Sequence, residues 1–258
     1  MRPTVLAAGL ALAACSPRAD TGAQRAESTD SLPVPDGPYG GGTILGIVRF
    51  VGAAPDNPII DMRTAPACRA VYHSVPRQLS VVVNPNRTLA NVFVYVRQGL
   101  PASSDYAVAP DSVLVTQRGC QYHPRVFGLM VGQTLMIRND DIVAHAIETV
   151  GVKTQRLTLA LPAGRKTAHV FRSAEVMVPF GGRTHRWMRA YAGIVSHPFF
   201  ATTGDDGRFT IGRLPSGTYT LEAWHEGYGR RTATVTVRDS TTQHVTFTYS
   251  QTFSETSE

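Results

Sequence analysis

The stretch Asp206–Leu221, which reads DGRFTIGRLPSGTYTL, is the part of the sequence that decides the fold. Apolar and polar residues alternate on each side of a short turn, as is typical of strands that bury one face. Pro215 and Gly217 predict a sharp connection between these two strands. The apolar positions are expected to supply core side chains, namely Phe209, Ile211, Tyr219 and Leu221. The stretch therefore predicts two consecutive strands of a β-sandwich.

Strand-like segments recur along the rest of the chain. Near the C-terminus, Val245, Phe247 and Tyr249 alternate with threonines, which predicts one buried and one solvated face. No run of apolar residues follows the 3.6-residue spacing of a helix. The sequence therefore predicts an all-β fold with the spacing of a sandwich. Its strands are expected at Thr43–Phe50, Gln78–Val83, Leu89–Val96, Ser112–Thr116, Val126–Met130, Thr134–Arg138, Arg208–Ile211, Gly217–Trp224, Thr232–Val237 and His244–Tyr249.

Composition limits the function classes. The 258 residues carry 25 Lys and Arg against 19 Asp and Glu, a net charge of +6. The basic residues are spread along the chain and lack the interleaved aromatic residues of single-stranded nucleic-acid binders. We therefore expect a solvated surface and no nucleic-acid partner.

The N-terminus is predicted to be a targeting segment over residues 1–14. Arg2 precedes an apolar run, Val5–Ala14, which is shorter than the roughly 18 residues of a membrane-spanning helix. The run ends in Leu-Ala-Ala-Cys at residues 12–15, which resembles a bacterial lipobox, in which the cysteine is lipidated. The resemblance predicts a lipid anchor at Cys15, and it implies the outer membrane because Ser16 rather than Asp follows the cysteine. The alternative is an ordinary secretory signal with a chance cysteine.

Residues 15–40 are polar and rich in Pro and Gly, which predicts a flexible tether.

Two further cysteines are Cys68 and Cys120. Outside the cytoplasm an even number of cysteines predicts a disulfide. Two separate buried thiols are the alternative.

Two parts of the chain resemble known families. Asp206–Leu221 is similar to the DGxFxIxxLPxGxYxL pattern of the carboxypeptidase-regulatory, transthyretin-like β-sandwich, which also resembles carbohydrate-binding folds. Asn139–His145 and Gly181–Met188 resemble the ligand loops of a cupredoxin, a Greek-key β-sandwich that holds copper. Together they resemble secreted bacterial proteins of the plastocyanin-like, or methylamine-utilisation, type. The resemblance predicts a cupredoxin-like domain over residues 41–199, a regulatory-like module over 200–250 and a disordered tail at 251–258.

The cupredoxin resemblance implies a copper site. Such a site takes one upstream His, then a Cys, a His and a Met from one loop. His145, His185 and Met188 stand at three of these positions, but Gly182 stands where the cysteine belongs. Because the thiolate is the strongest donor of a blue-copper site, the resemblance implies a degenerate site without blue-copper redox chemistry.

Two interpretations of this site stay open at this point. In the first, the imidazoles and the thioether still bind Cu(I), or Cu(II) with water in the gap. In the second, the site is a relic whose residues only pack the end of a loop. A separate alternative is a metal-free module that binds sugars or proteins through aromatic side chains, namely Trp187, Tyr191, Trp224 and Tyr228.

The sequence as a whole predicts a non-catalytic protein of the bacterial cell envelope. No nucleophile–base pair or carboxylate pair follows from the residue spacing, so we do not expect an enzyme. The expected partners are a membrane, through the anchor at Cys15, and a glycan or an envelope protein. Copper is the one candidate cofactor, and the protein is expected at the outer membrane, in the periplasm or at the cell surface.

Overall fold

A computed structural model of the chain describes residues 38–102, 104–154, 156–182 and 184–251. The predicted signal peptide, the predicted lipidation site Cys15, all but the last three residues of the predicted tether, and residues 252–258 of the predicted tail lie outside the described residues.

The described residues confirm the all-β fold class. They form sixteen strands and one short helix. These elements are β1 (Gly42–Val51), α1 (Pro66–Ala70), β2 (Phe93–Gln98), β3 (Val113–Arg118), β4 (Gln121–His123), β5 (Val126–Met130), β6 (Thr134–Asn139), β7 (His145–Thr149), β8 (Thr158–Leu161), β9 (Lys166–Val170), β10 (Glu175–Gly181), β11 (Ala190–Val195), β12 (Phe200–Thr202), β13 (Arg208–Leu214), β14 (Gly217–His225), β15 (Gly229–Val237) and β16 (Thr242–Ser250). None of the helical segments in this part of the chain combines the length and the apolar character of a membrane span.

Strands β3 to β11 form the inner sandwich. One of its sheets has the order β5-β11-β10-β7-β8, and the other has the order β4-β3-β6-β9. The two sheets share one core, in which Leu135 and Ile137 of β6 lie in the same cluster as Val178 and Phe180 of β10. The loop that carries α1 adds Cys68 to this core.

Strands β1, β2 and β12 to β16 form the outer sandwich. Its sheets have the orders β13-β1-β16 and β12-β2-β14-β15. The four core residues predicted from Asp206–Leu221 are all buried, with Phe209 the most exposed of them at 4%. They pack together with Phe247 and Tyr249, whose alternation predicted the buried face of β16.

The inner sandwich is inserted into the outer one along the sequence. The chain leaves the outer sandwich after β2 and returns at β12, where Phe200 pairs with Tyr95 of β2. Strand β1 pairs with β13 and with β16, so it belongs with the C-terminal strands. The predicted division between residues 199 and 200 stays a prediction, and the strand pairing crosses it.

One predicted strand is not formed. Residues 78–83 make a single isolated bridge, that of Val83 with Leu89. The side chain of Asn57 takes the place of a strand partner, because its Nδ2 donates to the Val81 carbonyl at 2.6 Å and its Oδ1 accepts from the Val81 N–H at 3.0 Å. The backbone N–H and carbonyl of Val81 are thereby satisfied without a ladder.

Candidate metal centre

The strand pairing of the inner sandwich brings the two predicted histidine ligands together. Strands β7 and β10 run antiparallel, with Thr149 opposite Phe180 and Glu148 opposite Gly181. Continued by three positions, this register sets position 145 opposite position 184. His145 begins β7, and His185 lies in the loop that follows β10, so both reach the same end of the sheet.

The two imidazoles are in direct contact. Nδ1 of His145 lies 3.1 Å from Nδ1 of His185, and the ring centroids are 5.0 Å apart. Both side chains are buried, with His145 1% and His185 9% exposed. The indole of Trp187 packs on His185 at 5.1 Å and donates its N–H to the Cys120 carbonyl at 3.0 Å.

Asp141 fixes the position of the His145 ring through a hydrogen bond. Its Oδ2 accepts from Nε2 of His145 at 2.8 Å, and its two oxygens also accept the backbone N–H groups of Gly119 and Cys120 at 2.6 and 2.8 Å. Burial alone would raise the pKa of Asp141, but these hydrogen bonds together outweigh it and lower the pKa. The carboxylate is therefore ionised at neutral pH.

The hydrogen bonds assign a tautomer to each ring. An ionised carboxylate can only accept, so Nε2 of His145 carries a proton, and in the neutral ring Nδ1 of His145 is then the acceptor. Nδ1 of His185 must then be the donor to His145, which leaves a lone pair on Nε2 of His185. Burial, followed by the neighbouring His145, lowers the pKa of His185, and Asp141 opposes this only in part. His185 is thus neutral, which is the form that binds metals.

Met188 and Gly182 complete the predicted loop. The N–H of Met188 donates to the carbonyl of His185 at 2.9 Å, and its side chain is buried in the core of the inner sandwich. At Gly182 a Cβ would lie 2.5 Å from the carbonyl oxygen of Ala146 in β7. Because that obstacle is backbone, the structure has no room for the cysteine that the cupredoxin pattern would place there.

The disulfide between Cys68 and Cys120 is formed, as predicted. It joins α1 to the turn between β3 and β4, and it borders the histidine pair. Sγ of Cys68 lies 3.7 Å from Nε2 of His185. Potential ligand atoms of Cys120, Asp141 and His145 lie within 4.8 Å of one another, although the sulfur of Cys120 is not a thiolate while the disulfide is intact.

The sequence alone does not indicate two of these features. The pattern of cupredoxin ligands includes no role for Asp141, although this residue stands four positions before His145 in the same loop. The disulfide was predicted from the number of cysteines, but nothing in the spacing of Cys68 and Cys120 indicated that it lies against the histidines.

One family model matches the C-terminal part of the chain. Residues 195–250 match the carboxypeptidase regulatory-like domain, which confirms the resemblance drawn from Asp206–Leu221. This range contains β12 to β16 of the outer sandwich. A search of curated proteins with the sequence finds no match.

Solved structures that are similar to part of the chain include cupredoxins. A copper(I) structure of an amicyanin variant is 15% identical with a TM-score of 0.30, over 39% of this chain and 97% of its own. A purple cupredoxin from Nitrosopumilus maritimus is 22% identical with a TM-score of 0.27, over 31% and 97%. A copper-containing nitrite reductase from Thermus scotoductus SA-01 is 18% identical with a TM-score of 0.31, over 38% of this chain. The chain spans only 25% of that reductase.

Proposed function

We propose that the protein is a non-catalytic binding module of the cell envelope that holds one copper ion between His145 and His185. The observation that carries this proposal is the 3.1 Å contact between the two Nδ1 atoms. When two nitrogen ligands each lie about 2 Å from one ion, the distance between the two nitrogens is close to that of the two Nδ1 atoms here. A copper ion would take the place of the proton that the two rings share.

The donors suit copper but not a blue-copper centre. Imidazole nitrogens are good ligands for copper, and Met188 on the same loop offers a thioether for Cu(I). The thiolate of a blue site is missing, because Gly182 has no side chain and both neighbouring sulfurs are in the disulfide. Asp141 acts as the orienting group, since it fixes the ring and the tautomer of His145. Bound copper would supply a ligand-binding or storage site rather than fast electron transfer.

Copper binding is expected to depend on both histidines. Because each ring supplies one donor, His145→Ala or His185→Ala should weaken Cu(II) and Cu(I) binding by about 100-fold or more. Asp141→Asn removes an orienting contact and should cost about 10–100-fold. Competition titration of the purified, oxidised protein against a chelator of known affinity measures these changes.

Two exposed histidines provide matched controls for this titration. His73 and His244 carry the same imidazole at the surface, so His73→Ala and His244→Ala should leave the affinity unchanged. The proposal is wrong if stoichiometric copper binding is absent, or if the surface variants reduce it as much as His145→Ala does.

We also propose that the protein is held at the envelope by lipid on Cys15. What supports this is the sequence Leu-Ala-Ala-Cys at the end of a short apolar run. Several acyl chains on one residue give stable membrane anchoring, where a single chain does not.

The anchor is tested by Cys15→Ser. The protein produced in a bacterium is expected in the membrane fraction, and the variant is expected in the soluble periplasmic fraction. Mass spectrometry of the N-terminal peptide should find diacylglycerol on Cys15 of the unsubstituted protein and no diacylglycerol on the variant. A soluble unsubstituted protein, or a variant that remains in the membrane, would contradict the anchor.

Metal-free binding of a glycan or an envelope protein is the second candidate from the sequence, and it stays a prediction. Its aromatic residues have other partners in the structure. Trp187 is engaged with His185 and Cys120, and Trp224 packs on Tyr191 at 5.0 Å between ring centroids. These three contacts occupy part of the aromatic surface, whereas the two imidazoles already lie at the separation of two ligands of one ion, so we favour copper as the ligand.

A further inference from the structure

We infer that reduction of the Cys68–Cys120 disulfide creates a second, thiolate-containing Cu(I) site, in which Cys68, Cys120 and Nε2 of His185 are the ligands. It shares His185 with the proposed function but does not use His145 as a ligand. The two proposals can therefore fail separately.

The first argument is the position of Cys68. Its sulfur lies 3.7 Å from Nε2 of His185. An ion with a nitrogen ligand at about 2.0 Å and a sulfur ligand at about 2.3 Å bridges such a distance at an angle of about 120°. Cys120 is bonded to Cys68, so reduction leaves a second sulfur beside the first.

The second argument is the state of His185. Its Nδ1 lies 3.1 Å from Nδ1 of His145, and when it donates its proton to a neutral His145, Nε2 of His185 carries the lone pair. His145 in turn donates to Asp141 at 2.8 Å. Metal-bound histidines typically donate their other ring N–H to such an orienting partner. The chain from Asp141 through His145 therefore holds Nε2 of His185 ready as a ligand and aims it at a sulfur atom.

The third argument is chemical. Soft thiolates favour Cu(I), and they are the donors that the loop after β10 cannot supply because Gly182 has no room for a side chain. Cys68 and Cys120 are each 1% exposed, so the thiolates would be shielded from water. The cysteines of other chain segments thus replace the missing ligand of the cupredoxin pattern.

The redox step is a thiol–disulfide exchange. A dithiol donates two electrons and two protons to the Cys68–Cys120 bond, which breaks into two thiols, and the dithiol itself becomes a disulfide. When Cu(I) binds, the two thiols release their protons to solvent. The proposed consequence is a module whose copper affinity rises in its reduced form.

The test compares oxidised and reduced protein under anaerobic conditions. The full chain carries Cys15→Ser, so that only Cys68 and Cys120 contribute thiols. A sulfur-free phosphine reduces the disulfide and takes up oxygen from water as the phosphine oxide. Competition titration gives the Cu(I) affinity, and ultraviolet absorption detects charge transfer between thiolate and copper.

Reduced protein is expected to bind Cu(I) about 100-fold more tightly than oxidised protein, and to develop the charge-transfer band. The control is Cys68→Ser/Cys120→Ser, which should bind equally with and without phosphine and lack the band. His185→Ala should weaken the reduced site strongly. His145→Ala should cost about 10–100-fold but keep the band, as expected of an orienting residue.

Equal affinities for reduced and oxidised protein, with no charge-transfer band, would overturn the inference and leave the histidine-pair proposal standing. A band that is as strong in His185→Ala would overturn the role of the imidazole. If His145→Ala leaves oxidised binding unchanged while the reduced site behaves as expected, the proposed function fails and this inference stands. The comparison of oxidised with reduced protein keeps Cys68, Cys120 and both histidines, so it does not depend on the folding of a variant at the site.

Discussion

Replacing both Cys68 and Cys120 by serine is expected to lower the free energy of unfolding by about 4 kcal/mol. The disulfide closes a loop with a sequence separation of 52, and the entropy that this closure removes from the unfolded chain accounts for that amount. The loop runs from Cys68 to Cys120, and its residues 71–92 belong to no strand and make only isolated bridges, such as that of Val83 with Leu89. The covalent link therefore adds to the non-covalent contacts of this segment, such as the hydrogen bond from the Tyr72 hydroxyl to the Gly119 carbonyl at 2.6 Å.

Urea unfolding in the presence of a strong chelator measures this effect. Chelation is required because copper bound to the folded protein would add stability by mass action. Adding phosphine to the unsubstituted protein should produce the same loss as the double serine variant, and phosphine should not change the variant further. A loss below about 1 kcal/mol would contradict this role of the disulfide.

Glu226→Ala is expected to cost about 3–5 kcal/mol. Glu226 lies in the turn between β14 and β15 of the outer sandwich, and it pairs with Arg125, which precedes β5 of the inner sandwich. The pair is bidentate, with Nε of Arg125 on Oε1 and Nη2 on Oε2 of Glu226, the latter at 2.8 Å. Both side chains are only 8% exposed. Removing the carboxylate leaves a buried guanidinium without its counter-ion, which is costly.

The control for this variant is an ion pair at the surface. Asp61 and Arg63 also make bidentate contacts, but their side chains are 58% and 88% exposed, so Asp61→Ala should leave the unfolding midpoint unchanged within error. The double variant Arg125→Met/Glu226→Leu should recover most of the stability lost in Glu226→Ala, because no buried charge remains. Equal midpoints for Glu226→Ala and Asp61→Ala would show that the pair does not connect the sandwiches energetically.

The fold could be predicted where alternation and turn residues agree. Asp206–Leu221 satisfies both conditions, and its strands and buried residues are found as expected. Gln78–Val83 shows the limit of this reasoning. Its apolar residues favour a strand, but the amide of Asn57, more than twenty residues away, pairs with its backbone. A propensity that considers only local sequence cannot include such a partner.

The insertion of one sandwich into the other could not be predicted either. The alternation in β1 indicates a buried face but does not identify the neighbouring strand. In the structure β1 runs parallel to β16, with Ile44 opposite Gln243 at the other end of the sequence. Such pairing is set by tertiary packing. Sequence patterns are local, so they predict a domain boundary between consecutive segments and not an inserted domain.

The sequence predicted the histidine ligands of the candidate site but not the residues that surround them. The resemblance named His145 and His185, and the register of β7 and β10 brings them together. The same resemblance left the role of Asp141 unassigned and gave no position for Cys68. Both act through contacts between distant strands and loops, which a pattern of ligands within two loops does not contain.

The central claim is that the imidazoles of His145 and His185 hold one copper ion. X-ray absorption spectroscopy at the copper edge tests this most directly, with one equivalent of copper bound to the oxidised protein. We expect scattering from two imidazole nitrogens per copper at about 2 Å, and from one imidazole in His185→Ala. Copper bound by oxygen ligands alone, or an imidazole count that is unchanged in both His145→Ala and His185→Ala, would contradict the claim.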